Sequence, residues 1–483
     1  MEQKSGAQIS KKAFIQSFVI LLVIMILAGI LTLVVPAGSF TRLQQEGREI
    51  IDPASFTYQE RPDYPVWRWF TAPIETLAGP DGLTIITIIV FLLMVGASFA
   101  VLDGSGILRA VIAGIVSRFG GRKYLLLMAI SLFFMLMGAF FGIFEEVLPL
   151  VPIMIALSIY LGWDTLVGLG MSILAVNMGF SAAVTNPFTI GVAQKLAGLP
   201  LFSGALLRLF FFVVIYAIFM LFLTRYAKHI EQKPEASPVY REDQEYKLRH
   251  PQFDLQQELA SDTRLGRSLV WFGIFTLLIM IVLVGAPFIE FLSSYSLPIV
   301  ALLFLIGGLG AGFLSGVPSR RVWKAAWEGI LGIAPGIVLI LMAASVKYIV
   351  FQGGIMDTIL YSASSIISQA SAYGASLIVY GLALVIEFFI GSGSAKAFLL
   401  MPILIPLADL VGVTRQVAVT AYCFGDGFSN LIYPTNPVLL IALGLTVVTY
   451  PKWLKWSFKL WVYVVPVTLL FLALAVAINF GPF

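Results

Sequence analysis

Two short stretches interrupt long apolar segments with Gly, Ser, Thr, Asn and Pro. One is Gly179 to Pro187 (Gly-Phe-Ser-Ala-Ala-Val-Thr-Asn-Pro); the other is Gly427 to Pro437 (Gly-Phe-Ser-Asn-Leu-Ile-Tyr-Pro-Thr-Asn-Pro). No other feature constrains the fold as much. A helix in lipid must satisfy every backbone N–H and C=O from within. A break at membrane depth is tolerated only where the freed groups face protein or line a cavity. Two such breaks, in corresponding halves of one chain, point to a substrate site and so to a secondary transporter.

The segments around the breaks are apolar enough for this reading. The chain is 59% hydrophobic and 12% charged, with mean hydropathy +0.96, whereas soluble domains carry about 25% charged residues. A polytopic membrane protein follows, with the lipid bilayer as its surroundings and no nucleic-acid partner expected. The single cysteine, Cys423, excludes an intramolecular disulfide or a cysteine metal site. The two histidines, His229 and His250, share one polar loop, which leaves little for histidine chemistry in the membrane. With no His-Glu-x-x-His and no P-loop, neither an intramembrane hydrolase at Gly391-Ser392-Gly393 nor an ATP-driven pump is supported. An enzyme is not expected.

Runs of about 20 apolar residues mark the crossings. Phe14 to Pro36 follows Lys4, Lys11 and Lys12, which places the N-terminus in the cytoplasm. The loop from Ala37 to Gly82 is acidic, as suits the outside (Glu46, Glu49, Asp52 and Glu60 among its acids). Its Trp67, Trp69 and Phe70 read as an interfacial aromatic belt. Leu83 to Leu102 crosses back, Ile107 to Phe119 reads as interfacial, and Arg118, Arg122 and Lys123 mark a cytoplasmic turn. Tyr124 to Tyr160 is a helical hairpin with its tip at Gly138 to Glu146. Asp164 to Ala182, the first break, Phe188 to Leu199 and Leu206 to Thr224 follow. Arg225 to Arg267 is a hydrophilic linker.

Ser268 to Val284, Leu297 to Leu314 and Ile333 to Val350 cross next, with Arg320, Arg321 and Lys324 on the inside. Gly354 to Ser368 is a second interfacial stretch. Leu377 to Leu410 is a second hairpin, tipped by Gly391 to Lys396. Arg415 to Ile432, the second break and Val438 to Val447 lead to Lys452, Lys455 and Lys459, which with Trp453 and Trp456 form a basic aromatic interface inside. Leu460 to Ile478 ends the chain outside.

The halves align at an offset of 250: Pro152 meets Pro402, Gly162 meets Gly412, and Thr185-Asn186-Pro187 meets Thr435-Asn436-Pro437. The first hairpin is entered from a basic turn and the second from Ser368 to Tyr373, which has no Lys or Arg. The copies are therefore expected to be inverted, with Ser268 to Val284 as the odd crossing that flips the second. The fold class is an all-α polytopic membrane protein of two inverted-topology repeats, each with a helical hairpin and a broken transmembrane helix.

At each break a hydroxyl, an amide and unwound carbonyls can replace an ion's hydration shell or meet a carboxylate, helped by half-helix ends. The candidates are Ser181, Thr185 and Asn186, with Ser429, Thr435 and Asn436. The plainer alternative is that Asn-Pro only kinks a helix. The tips carry Glu145-Glu146 in the first hairpin and Lys396 in the second, with Glu146 aligned to Lys396. Ionisable groups at this depth are functional by default. If the tips meet, a zwitterion fits, its amino group toward the glutamates and its carboxylate toward Lys396, Ser392 and Ser394. The alternative is a Glu–Lys latch. Asn186, Asn436, Asp426, Gly142 and Gly391 form the candidate coupling-ion set, for Na⁺ at the broken helices or for H⁺, and Glu387 is a further proton-carrier candidate. No other cofactor is expected.

With these residues in view, the chain resembles the YfcC-like branch of the C4-dicarboxylate anaerobic carrier (DcuC-like) family, within the ion transporter superfamily. The resemblance rests on Pro36-Ala37-Gly38, Asp164-Thr165, Thr185-Asn186-Pro187-Phe188, Pro406 to Gln416 (PLADLVGVTRQ), Phe424 to Leu431 (FGDGFSNL) and Pro434-Thr435. It implies a homodimer with a static scaffold and a transport domain moving as an elevator. On that pattern, residues 1–123 are scaffold helices, 124–224 the first transport part, 225–267 the linker, 268–370 the linking and second scaffold helices, and 371–483 the second transport part. The resemblance implies dicarboxylates or, for the branch, basic amino acids in antiport. The expected function is ion-coupled or exchange transport of a small carboxylate-bearing solute, an amino acid or short peptide before a C4-dicarboxylate. A channel is the distant alternative.

Overall fold

A computed structural model describes residues 11–45, 48–249 and 263–481. Lys4, Glu46, His250 and the linker stretch 250–262 lie outside the described residues. Among the described residues, nine helices are long and apolar enough to cross a membrane, from Phe14–Val34 to Tyr450–Ala477. Two shorter apolar helices, Thr165–Ser181 and Ala372–Glu387, pack with them.

The loop after the first crossing departs from the all-helical expectation. Gly38–Ser39 pairs antiparallel with Thr57–Tyr58, and Arg42–Gln45 with Arg48–Ile51. Asp357, far along the chain, holds this loop in place by accepting from the Phe40 N–H at 2.9 Å and pairing with Arg42 at 2.8 Å. Phe56 stacks on Tyr361 at 4.0 Å. Of the three aromatics expected at the interface, Trp67 and Phe70 are exposed. Trp69 is instead buried, its indole filling the groove opened by Gly29 on the first helix.

The two stretches read as interfacial are helices, Ile107–Phe119 and Met356–Ile367. Each begins just after a left-handed glycine, Gly106 at φ +78° and Gly354 at φ +68°, a conformation that glycine adopts without a Cβ penalty. The basic segment around Arg320 is more than a turn. It forms the helix Ser319–Ile333, separated from Pro335–Gln352 by Ala334 alone. Val322, Ala325, Ala326 and Gly329 on its apolar face are buried, while Trp323 and Trp327 are exposed.

Beyond these helices, the same order of elements occurs twice. A hairpin (Lys123–Phe141 and Val151–Tyr160) leads to a helix, Thr165–Ser181, that stops at Ala182 and resumes over 187–196, and then to the long helix Ala205–Gln232. Later, Ala372–Glu387 and Gly393–Leu410 lead to Arg415–Ser429, a stop, Pro437–Gly444 and the long helix Tyr450–Ala477. The local chemistry recurs as well. Gly162 at φ +90° and Gly412 at φ +73° end the hairpins. Two residues later a side chain caps the broken helix: Asp164 accepts from the Val167 N–H at 2.9 Å and Thr414 from the Val417 N–H at 3.3 Å. Such caps satisfy N–H groups that the first helical turn leaves unpaired.

The two broken helices sit at the centre of the bundle. Every residue from Gln416 to Ser429 is buried. Gly427 packs directly on Ser181, leaving no room for a Cβ, so the two helices touch just before their breaks.

The described part of the linker is docked onto the bundle. Ser237 donates to Asp164 at 2.7 Å, Asp243 accepts from the N–H and hydroxyl of Thr165 at 2.9 and 2.5 Å, and Glu242 pairs with Lys452 at 2.5 Å.

Candidate functional site

Each break is fastened to its own hairpin by the residue before Asn-Pro. Thr185 donates its hydroxyl to the Phe140 carbonyl at 3.1 Å, and Thr435 donates to the Phe388 carbonyl at 2.7 Å. The freed N–H groups of Val184 and Thr185 both reach the Ala139 carbonyl. Tyr433 donates its hydroxyl to Leu384 O at 3.0 Å. The unwound backbone is thus held open by defined contacts.

The asparagines restart the helices. Asn186 Oδ1 accepts from the Phe188 and Thr189 N–H groups at 2.9 and 3.2 Å, and Asn436 Oδ1 accepts from Val438 N–H at 2.9 Å. The carboxamide nitrogens differ. That of Asn436 donates to Asn430 Oδ1 at 3.2 Å, whereas that of Asn186 is buried without a partner. Nearby in the first half, both amide atoms of Asn177 and the Thr189 hydroxyl are also buried and unpartnered. A buried polar atom left unpaired costs about 1–3 kcal/mol, so this set is available to a polar ligand. The hydroxyls of Ser181 and Ser429 are turned back to their own helices, donating to Asn177 O at 2.6 Å and Gly425 O at 2.8 Å.

The tips meet these residues. Gly142, at φ +69°, lies directly against Asn186 Oδ1, and a Cβ on Gly391 would sit 3.6 Å from Asn436 Nδ2. A Cβ on Gly393 would lie 2.8 Å from Thr189 Cγ2, so the second tip also touches the resumed helix of the first half. Ser392 caps the helix Gly393–Leu410 by accepting from Ala395 N–H at 3.4 Å, and its hydroxyl is 3.5 Å from that of Ser394. Three helix N-termini, each carrying about half a positive charge, therefore converge on one place.

The charged residues are arranged differently from the tip-to-tip pairing that the alignment suggests. Lys396 turns away from the exposed tip and is fully buried. Its ammonium touches Glu387 Oε2 and lies 2.5 Å from Asp426 Oδ1. Glu146 accepts from Ser296 at 2.8 Å and from the Phe144 N–H at 3.3 Å. No Glu146–Lys396 latch forms. Glu145 sits beside Glu146 at the start of the turn Glu145–Leu150.

Sequence reasoning overlooked Arg208, the one charged residue in the apolar stretch of Ala205–Gln232. It is 2% exposed and donates to the carbonyls of Val184, Ser203 and Phe202, holding the first break from behind. A lone arginine in a membrane run was a readable signal. Trp453 does the equivalent job at the second break. It is buried, not interfacial, and its indole donates to Leu431 O at 2.7 Å beside the Tyr450 hydroxyl on Ile432 O at 2.8 Å. Trp456 is buried too.

Residues 14–477 match the profile of the C4-dicarboxylate anaerobic carrier family, DcuC. The chain belongs to this family. It is 32% identical over 469 residues to YfcC of Escherichia coli K12, described as a candidate basic amino acid antiporter, covering 91% of this chain and 92% of that one. An uncharacterised Haemophilus influenzae protein is 28% identical over 376 residues, covering 77% and 71% of the two chains. Among solved structures, the Alcanivorax borkumensis YdaH transporter and the Neisseria gonorrhoeae efflux pump MtrF each align at 18% identity and TM-score 0.41. The alignments cover 97% of this chain and 100% of YdaH, and 95% of each chain for MtrF. Membership of this carrier family, with the nine apolar helices among the described residues, makes the chain a multi-pass membrane protein and not an enzyme.

Proposed function

We propose that the protein is a secondary active carrier for a small carboxylate-bearing solute, an amino acid or short peptide by preference, bound where the two breaks and the two hairpin tips meet. The observation that carries this reading is the pairing of each tip glycine with its own break, Gly142 with Asn186 and Gly391 with Asn436. At the first break the Asn186 amide nitrogen and, three residues on, the Thr189 hydroxyl have no partner. Converging helix N-termini favour a carboxylate. Glu145 and Glu146 favour an amino group and disfavour a second carboxylate, which places a C4-dicarboxylate second. The described antiport of YfcC supports exchange of an amino acid, basic ones included, whereas the family's description supports the dicarboxylate alternative.

The two halves act in this reading as inverted repeats in a homodimer, with hairpins and broken helices moving against the remaining helices and the N-terminus in the cytoplasm. Na⁺ or H⁺ at Asn186, Asn436 and the tip glycines is the coupling ion. The test is a thermal-shift screen of amino acids, dipeptides and C4-dicarboxylates with and without Na⁺, followed by counterflow of each stabilising solute in proteoliposomes. Saturable counterflow of an amino acid is expected. Single-channel currents, or stabilisation by dicarboxylates alone, would overturn the reading.

A further inference from the structure

The second hairpin and the second broken helix hold two carboxylates face to face. Glu387 ends the helix Ala372–Glu387 and Asp426 lies on Arg415–Ser429; they are 2% and 1% exposed. Two buried carboxylates at close range repel, and both stay ionised only with a cation between them. The cation present is the Lys396 ammonium, from the first turn of Gly393–Leu410, touching Glu387 Oε2 and 2.5 Å from Asp426 Oδ1. Neither Glu387 Oε1 nor Asp426 Oδ2 accepts a hydrogen bond. The Thr189 hydroxyl, on the resumed helix of the other half, is also buried and unpartnered; its methyl and Asp426 Oδ2 both lie close to Gly393. Carboxylates from two helices thus flank one positive charge, with acceptor capacity left over.

This arrangement exceeds what a structural ion pair needs. One carboxylate would neutralise Lys396, and an apolar side chain would fill the same space with a smaller desolvation cost. Two carboxylates around one ammonium, each with an oxygen that accepts no hydrogen bond, make up a hard-oxygen donor set suited to a small monovalent cation.

We propose that Glu387 and Asp426 form a monovalent-cation site that the chain fills from within, Lys396 serving as a tethered co-ion in place of a soluble one. The site ties the second hairpin to the second broken helix, so that they move as one piece with their cation always loaded. The co-ion role rests on the carrier reading; the existence of the cation site does not.

The test removes the tether and supplies the cation from solution. Lys396→Ala in the full-length, detergent-solubilised chain should unfold at lower temperature than the wild type. Ethylammonium or Na⁺ should restore it saturably; choline, too bulky, and propanol, uncharged, should not. The wild type should gain nothing from ethylammonium. Restoration by choline and propanol as well, or by none of the four, would overturn the site. Should Lys396→Ala fail to fold, the double variant Lys396→Ala/Glu387→Gln keeps one carboxylate with an amide donor beside it. It should show a weaker cation-specific stabilisation that Lys396→Ala/Glu387→Gln/Asp426→Asn lacks. Equal responses of these two variants would overturn the site. In proteoliposomes, Lys396→Ala should acquire a dependence on ethylammonium that the wild type does not have. Thermal rescue without acquired dependence would remove the co-ion role and leave the cation site. Absence of any transport by the wild type would count against the carrier reading alone.

Discussion

Asn186 and Asn436 perform the same act at opposite ends of the sequence: each carboxamide oxygen caps the half-helix that follows it, and each amide lies against a glycine of its own hairpin tip. A kink made by Asn-Pro alone would need neither the tip nor the cap. Asn186→Ala and Asn436→Ala should each lower stability by about 0.5–2 kcal/mol, the usual worth of an N-cap, and reduce counterflow by more than tenfold. Size-exclusion profiles should stay those of the wild type. Counterflow at wild-type rates by both variants would remove the breaks from the site.

The two tip glycines are not equivalent, which gives a sharper prediction. Gly142 has φ +69° and no room for a Cβ against Asn186 Oδ1, whereas Gly391 has 3.6 Å to Asn436 Nδ2. Gly142→Ala therefore meets a left-handed backbone penalty of about 1–2 kcal/mol and displaces the Asn186 cap. Gly391→Ala meets ordinary van der Waals contact. Thermal unfolding should show a clear loss for the first and almost none for the second, and equal losses would contradict this geometry.

Arg208 satisfies three carbonyls, and no ion pair with an acid is found for it among the described residues. Arg208→Met would leave the Val184 carbonyl at the break unpaired, a loss of about 1.5–3 kcal/mol for hydrogen bonds from a charged donor. Arg208→Lys, with one point charge where a planar fork is needed, should recover less than half of it. Chemical denaturation of the three proteins measures this, and full recovery by lysine would mean that charge alone matters.

Much of this was legible in the sequence. The breaks, the hairpins and the bounds of Ile107–Phe119 follow from apolar runs punctuated by Gly, Asn and Pro, because lipid enforces such punctuation. The partners of charged residues were not legible. Alignment sets Glu146 opposite Lys396, but a lysine side chain can turn toward any of several helices, and it turns toward Glu387 and Asp426. Lys396→Glu would then place three buried carboxylates together and report on folding, not on substrate recognition. Trp69, Trp453 and Trp456 were misplaced for a related reason. A tryptophan near a helix end suits the interface, but a neighbouring Gly29 or an unwound Leu431 carbonyl gives it a buried place. Both are contacts between segments distant in sequence.

The docked linker supplies a prediction about pH. Asp243 accepts two hydrogen bonds from Thr165 at the start of the first broken helix. Burial nevertheless pushes its carboxyl up to about 7, with the nearby Asp164 adding to the rise and Lys247 opposing it. Asp164, also buried, is shifted upward as well and is held by Tyr226 and Ser237. A carboxyl whose docked value is raised binds its proton more tightly when docked, so the contact is strongest when protonated. Docking should therefore be firmest near pH 4 and weaken as pH rises toward about 7, by up to roughly tenfold in the opening equilibrium per unit, before levelling off. Hydrogen exchange of the amides of Thr165–Leu169 and Tyr240–Arg249, corrected for intrinsic rates, should show this fall between pH 5 and 7. Asp243→Asn keeps an acceptor for Thr165 without the charge and should flatten most of the dependence, the remainder belonging to Asp164. A profile that keeps its full slope in Asp243→Asn, or that rises with pH, would show that this carboxyl does not control the contact.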